Sequence, residues 1–301
     1  MIARTSCPIT GEPAEVIFSR PYSLPALASF VTHAPLREAL ADKPYEIRSC
    51  PASGLVFQTW VMEEAELAGW YSPAKDREFF MGKIGEQKLH WFAHLTEEIL
   101  VMRQMIPVPV PVVLDFGCNW GKWASMALAH GCEVYAVEVN RDAAAFCASR
   151  GIKMVTLADL KSLKFDFINV DQVMEHLSDP RTIARELAAS LKAGGMMKWS
   201  TPHHPKLPGL LRAAESDGTN AVLNPVTLDP LEPLGHVNLF CGTTLEVLGR
   251  QVGLQPVQLP FWKWLGAGQL WNIPRQLNRN LTVPIKRWRA HGAYRWFQKP
   301  I

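Results

Sequence analysis

Between residues 105 and 200 the chain alternates short apolar runs with stretches of helical spacing. Val112–Phe116 predicts a buried strand, Lys122–Ala129 a helix, Glu133–Glu138 a second strand and Arg141–Arg150 a second helix. Lys153–Thr156 and Phe165–Asp171 predict a third and a fourth strand. A helix over Arg181–Leu191 follows, closed by Gly194-Gly195, and Met196–Ser200 opens a fifth strand. Strands and helices alternating at this spacing build a mostly parallel sheet with helices on both faces.

The flanks carry weaker patterns. Residues 1–60 are rich in proline and turn signals, with β-like runs at Tyr45–Arg48 and Leu55–Trp60. Residues 61–104 carry helical spacing, clearest over Lys88–Gln104. Residues 201–240 hold six prolines and Gly209, Gly218 and Gly235, which predicts a long loop or lid of functional kind. A helix at Thr243–Val252 and a strand near Leu254–Leu259 return to the sheet. The expected division is a β-rich module (1–60), a helical linker (61–104), an α/β domain (105–265) with its lid (201–240), and a C-terminal extension (266–301).

Composition narrows the class. With 48% apolar and 20% charged residues the chain is globular. No apolar run is long enough to span a bilayer and no leader pattern opens the chain, so a cytoplasmic location is expected. Six scattered cysteines predict thiols and no disulfide framework. Charge is uneven: Val247–Ile301 has nine Lys or Arg and no acid, while the first 246 residues have 22 basic and 28 acidic groups, a net of −6. Trp262, Trp264, Trp271, Trp288 and Trp296 lie among those cations. Cations mixed with aromatics suit an anionic membrane surface or a lipid-linked acceptor, so peripheral membrane contact through this segment is expected.

The chemistry concentrates at the first strand. Val112-Val113-Leu114-Asp115-Phe116-Gly117-Cys118-Asn119-Trp120-Gly121 runs from a buried strand through two glycines into a helix. Open α/β sheets bind ligands at this end of their strands, and glycine allows close backbone approach. Glu138 ends the second strand, where a carboxylate can accept both hydroxyls of a ribose, and Val139 follows it. A dinucleotide site wants G-x-G-x-x-G, but the spacing here is Gly117-x-x-x-Gly121. Asp115 before the turn would repel a pyrophosphate and suit a cationic sulfonium.

This segment resembles the first motif, D-x-G-C-G-x-G, of class I S-adenosylmethionine-dependent methyltransferases. Asn119 stands at the middle glycine, a position where asparagine tolerates left-handed backbone. Further segments resemble the same family in order: Asp159-Leu160, Phe165–Ile168, Met174–Pro180 with its Glu175-His176, Leu191–Gly195, Ser200–Pro202 and Gly235–Phe240, the last with Gly235 for the family's glutamate. The resemblance implies a Rossmann-like, mostly parallel seven-stranded sheet with helices on both faces, plus the small β-rich module in front. It implies S-adenosylmethionine held by Asp115, Gly117, Cys118, Asn119, Gly121, Glu138, Val139, Asp159, Leu160 and Asp171. His176 and His236 are the expected catalytic bases; Gln172, with Asp171, either binds beside the methionine or acceptor moiety or serves the turn, and His203-His204 reads as a solvated loop. Glu175 reads as a helix-end carboxylate without chemistry. Trp120 could shelve the cofactor, and core packing is expected for Trp123.

The front module resembles a zinc ribbon of sugar C-methyltransferase-like proteins. Its knuckles read Cys7-Pro8-Ile9-Thr10 and Cys50-Pro51-Ala52-Ser53, with Thr10 and Ser53 in place of two cysteines. Hydroxyls are weak zinc donors, so no bound metal is expected there unless His33 substitutes. No metal is expected elsewhere. The expected acceptor is a small hydroxylated molecule, a sugar or lipid-linked sugar by resemblance. A nucleic-acid substrate is disfavoured, since no N/D-P-P-Y/F segment occurs. A non-catalytic scaffold of the same fold is the alternative.

Overall fold

The computed structural model describes residues 1–28, 30–31, 34–62, 89–260, 263 and 292–301. His33 and four of the five tail tryptophans, all but Trp296, lie outside them. The strands are β1 (Ile2–Ala3), β2 (Glu15–Pro21), β3 (Pro44–Ser49), β4 (Val56–Gln58), β5 (Trp60–Val61), β6 (Val112–Phe116) and β7 (Glu133–Val137). They continue with β8 (Lys153–Met154), β9 (Phe165–Asp171), β10 (Leu191–Ser200), β11 (Asn238–Leu239), β12 (Gln255–Val257) and β13 (Tyr294–Gln298).

The main sheet has seven strands in the order β12-β13-β10-β9-β6-β7-β8. Strands β10, β9, β6, β7 and β8 are parallel, and β13 is antiparallel to both its neighbours. Alternate residues go to opposite faces. Leu114 and Ile168 join one buried cluster, Val113 and Phe167 another. Burial on both faces explains why these strands read as nearly unbroken apolar runs.

Helices Lys122–Ala129, Arg141–Ser149, Pro180–Ser190 and Gly242–Gln251 cover the sheet. The Asn140 side chain caps the second of these, accepting from the N–H groups of Asp142 and Ala143 at 3.0 and 3.1 Å. Asp179 caps the third through the Thr182 N–H, with Pro180 in its first turn, where a missing N–H costs nothing. Gly194 and Gly195 do not close that helix. They lie in the irregular start of β10, whose pairing with β9 shifts between Leu191 and Met196.

Strand β13 belongs to the sheet although it falls inside 266–301. Its Trp296 is buried against Phe167, with ring centroids 5.1 Å apart. Gly242 and Gly249 of the last helix make room for it: a Cβ there would overlap Arg295 and Phe297 respectively. The Lys299 ammonium donates to the carbonyls of Ala188 and Leu191 at 3.0 and 2.9 Å, at the end of helix Pro180–Ser190.

The front module is antiparallel, in the order β11-β4-β3-β2, and β11 comes from the distant 235–240 segment. The two knuckles each turn through a left-handed glycine, Gly11 (φ 78°) and Gly54 (φ 72°). They bring Cys7 Sγ within 3.2 Å of Ser53 Oγ, and Thr10 Oγ1 within 3.7 Å of Cys50 Sγ. Residues 201–240 are largely packed: helix Leu207–Asp217 buries Leu207 and Leu211 in one cluster with Phe18, Tyr45 and Ile47 of the module. The Tyr45 hydroxyl donates to the Leu231 carbonyl at 2.6 Å.

Candidate active site

The turn after β6 has three alternate residues in left-handed backbone: Gly117 (φ 74°), Asn119 (φ 50°) and Gly121 (φ 68°). Glycine is required twice for packing as well as for φ. A Cβ on Gly117 would overlap Val173, and one on Gly121 would stand 2.7 Å from Cys147 Sγ. The Asn119 side chain closes its own turn by accepting from the Trp120 N–H at 2.7 Å.

Glu138 follows β7 directly and is partly exposed, and its carboxylate joins two loops. It accepts from the Asn119 N–H at 2.7 Å through one oxygen and from the Asn140 N–H at 2.8 Å through the other. Each oxygen keeps a second lone-pair site, so two vicinal hydroxyls can still be received there. Val139 beside it is 74% exposed, a large apolar side chain in water. An exposed apolar ledge next to a carboxylate with spare acceptor sites fits an adenosine.

Asp115 is placed differently from a sulfonium partner. It is buried, and it accepts from the Asn169 amide at 2.7 Å and from the Ala124 N–H at 3.2 Å. It thus caps helix Lys122–Ala129 from within the sheet. Burial raises its pKa to about 7 against the pull of the Asn169 hydrogen bond. Cys118 is likewise turned inward, its Sγ 3.8 Å from that of Cys147. Leu160 is buried in the core, whereas Asp159 is exposed and accepts from both the N–H and hydroxyl of Thr156. Trp120 packs on Phe146 at 5.6 Å, and Trp123 stacks on Phe167 at 5.8 Å inside the core.

Asp171 closes β9 at the same sheet edge. It accepts from the Ser200 hydroxyl and receives the Lys198 ammonium at 3.4 Å. Lys198 is fully buried and also meets Glu98 at 3.0 Å. Burial alone would lower its pKa, but Asp171 and Glu98 outweigh this and raise it. Sequence spacing carried no signal for this trio, because Glu98 lies 100 residues from Lys198.

Past β9 the chain makes a short helical turn, Met174–His176, and here the two expected bases meet. The rings of His176 and His236 are edge to face, with centroids 4.8 Å apart. His176 Nδ1 lies 2.9 Å from the Gly235 carbonyl, and His236 Nδ1 lies 2.5 Å from that of Asp229. A carbonyl can only accept, so both rings donate from Nδ1, which makes Nε2 the acceptor nitrogen of a neutral ring. Burial, helped by His236, lowers the His176 pKa to about 4. Gln58 holds the 232–236 loop in place, donating to the carbonyls of Glu232 and His236 and accepting from Leu234 N–H. Arg4 braces the same region with hydrogen bonds to Gln58, Val237, Ser178 and Asn238.

Gln172 takes φ 54° beside this site, whereas His203 lies near Gly292. Glu175 is more than a helix-end charge: it is wholly buried beside the histidines, and neither carboxylate oxygen has a hydrogen-bond partner among the described residues. Burial raises its pKa to about 8.

Residues 85–259 match the family described as "Methyltransferase domain". A ubiquinone biosynthesis O-methyltransferase of Ralstonia nicotianae is 24% identical over 158 residues, covering 49% of this chain and 64% of that protein. One of Albidiferax ferrireducens is 24% identical over 184 residues, covering 57% of this chain and 64% of its own length. The match thus spans under two-thirds of these relatives. Among solved structures, the plantazolicin methyltransferase BpumL in complex with SAH superposes with a TM-score of 0.51 at 13% identity, covering 78% of this chain and 94% of that one. That likeness is one of fold. The matched residues contain the whole run from helix Leu89–Met105 to β12, with the left-handed turn, Glu138 and the histidine pair inside it, and on that basis the chain belongs to the methyltransferase domain family, with the class I S-adenosylmethionine-dependent fold.

Proposed function

We propose that this protein transfers the methyl group of S-adenosylmethionine to a hydroxyl of a small acceptor. The observation that carries the reading is Glu138, bound to one N–H from each flanking loop and still able to receive two ribose hydroxyls. Gly117, Asn119 and Gly121 form the turn that Glu138 holds through the Asn119 N–H, Val139 would offer an apolar face to the adenine, and Asp159 stands exposed at a later loop. Asp115 and Cys118, both buried, would support this turn from beneath. S-adenosylmethionine supplies an electrophilic methyl on a sulfonium. The chain's own part is to align the acceptor oxygen with it and to take up the oxygen's proton.

His176 and His236 are placed for that second task. Their Nε2 lone pairs lie at the carboxyl end of β9, and the His236 loop is held by Gln58 over the Met174–His176 turn. The O-methyltransferase names of the matched relatives favour an oxygen acceptor. A sugar or lipid-linked hydroxyl is the acceptor class, and the basic segment after residue 247 would carry the protein to an anionic surface. No helix among the described residues is long and apolar enough to cross a membrane.

Isothermal titration with S-adenosylmethionine and S-adenosylhomocysteine tests the reading. Micromolar binding is expected. Glu138→Ala should weaken it about tenfold to a hundredfold, the worth of hydrogen bonds to a charged group. Absence of binding by the intact, folded chain overturns the proposal.

A further inference from the structure

Glu175, His176 and His236 place three ligand-type atoms within 4.8 Å of one another. Glu175 Oε1 and His176 Nε2 are 4.0 Å apart. The carboxyl group is wholly buried and has no hydrogen-bond partner among the described residues. An ionised carboxylate in that position is strongly disfavoured unless a cation compensates the water it has lost. The nearest polar side-chain atoms to it among the described residues are those of the two histidines, with all three ligand-type atoms facing one another. The two imidazoles are held as metal-binding histidines are held, with Nδ1–H on a backbone carbonyl and the lone pair on Nε2.

We propose that Glu175, His176 and His236 form a binding site for a divalent transition-metal ion. Two nitrogens and one carboxylate oxygen select zinc, cobalt, nickel or ferrous iron over magnesium or calcium. Ligand atoms about 2.1 Å from a tetrahedral ion stand about 3.4 Å apart, so the triad closes by about one ångström when loaded. Three protein ligands leave an open position, the arrangement of sites that bind a water or a substrate oxygen. With an ion bound, both Nε2 lone pairs are engaged by it, so the imidazoles would hold the ion and an acceptor oxygen at the open position would lose its proton to water; that use rests on the proposed function, the binding itself does not. The Glu232 carboxyl lies beside the same loop, 3.0 Å from where a Cβ on Gly235 would stand.

Chelator-stripped full-length protein titrated with Co²⁺ and with Zn²⁺ tests the site. One equivalent per chain is expected, with visible Co²⁺ absorption of a nitrogen–oxygen ligand set and no thiolate charge-transfer band. Glu175→Gln and His236→Gln should each weaken binding about a hundredfold, while a Cys7→Ser/Cys50→Ser variant binds as the parent does. Circular dichroism and thermal melting of the metal-free variants identify any that fail to fold, and His236→Gln, on a half-buried loop, serves if Glu175→Gln fails. Millimolar or weaker affinity overturns the proposal, as does binding that survives His236→Gln or is lost with the knuckle cysteines. S-adenosylmethionine titration of the stripped protein separates the two readings: cofactor binding without metal binding defeats only this one, and metal binding without cofactor binding only the other.

Discussion

Asp115 sits between two donors in a dry interior, and this has a pH signature. Its pKa is raised from 3.8 to about 7 by burial. In that window the folded chain keeps a proton that the unfolded chain has lost, so folding stability falls as pH rises from about 4 to about 7. The contribution is on the order of a few kcal/mol. Chemical denaturation of the parent and of Asp115→Asn across this range should give a difference curve that slopes in the window and flattens above it. A flat difference throughout contradicts the assignment. Gly121→Ala probes the turn itself: the added carbon meets Cys147 Sγ at 2.7 Å and imposes a strained φ of 68°. A loss of about 1–3 kcal/mol is expected in the same denaturation assay. At this scale the sequence located the turn but not the direction of its side chains. A strand–glycine–helix pattern marks where Asp115, Cys118 and Leu160 lie along the chain, yet only packing decides that they point inward.

Elements are joined by the Lys198 ammonium, which holds Glu98 of helix Leu89–Met105 and Asp171 of β9. Lys198→Met should destabilise by about 3–5 kcal/mol, because Glu98 is left charged and buried. Adding Glu98→Gln should recover part of that loss, and a double-mutant cycle by thermal melting measures the coupling. Additive single effects would show that the pair is not coupled. Elements formed by local pattern were legible in the sequence: Val112–Phe116, Lys122–Ala129 and Phe165–Asp171 occur with the expected bounds. Those whose partners are distant were not. β11 has two residues and exists because β4 pairs with it, and the Arg and Lys of the β13 region masked a strand whose apolar faces, Trp296 and Phe297, are both buried. Glu175 and His236 are far apart in the chain, and nothing in their local sequence signals that the 232–236 loop folds over the Met174–His176 turn.

Across the whole molecule, the front module and residues 201–240 share one core, so the loop that carries His236 is anchored on two sides. If the acceptor enters here, as the proposed function has it, its entry would depend on this shared unit more than on a freely hinged flap. Deleting residues 292–301 should remove the strand between β10 and β12, expose Trp199 and Gly249, and give an insoluble or molten product by near-ultraviolet circular dichroism. A well-folded, cofactor-binding deletion would show that β13 is dispensable. The interior place of β13 also bears on how the chain assembles. The strands on either side of it are synthesised earlier, and both must wait with open edges for a partner that begins only at Tyr294, well after β12 ends at Val257. Pairing at such separation is slow, and open edges recruit neighbours. The vulnerable moment for this protein is thus during its making, when a nearly finished sheet still has a gap.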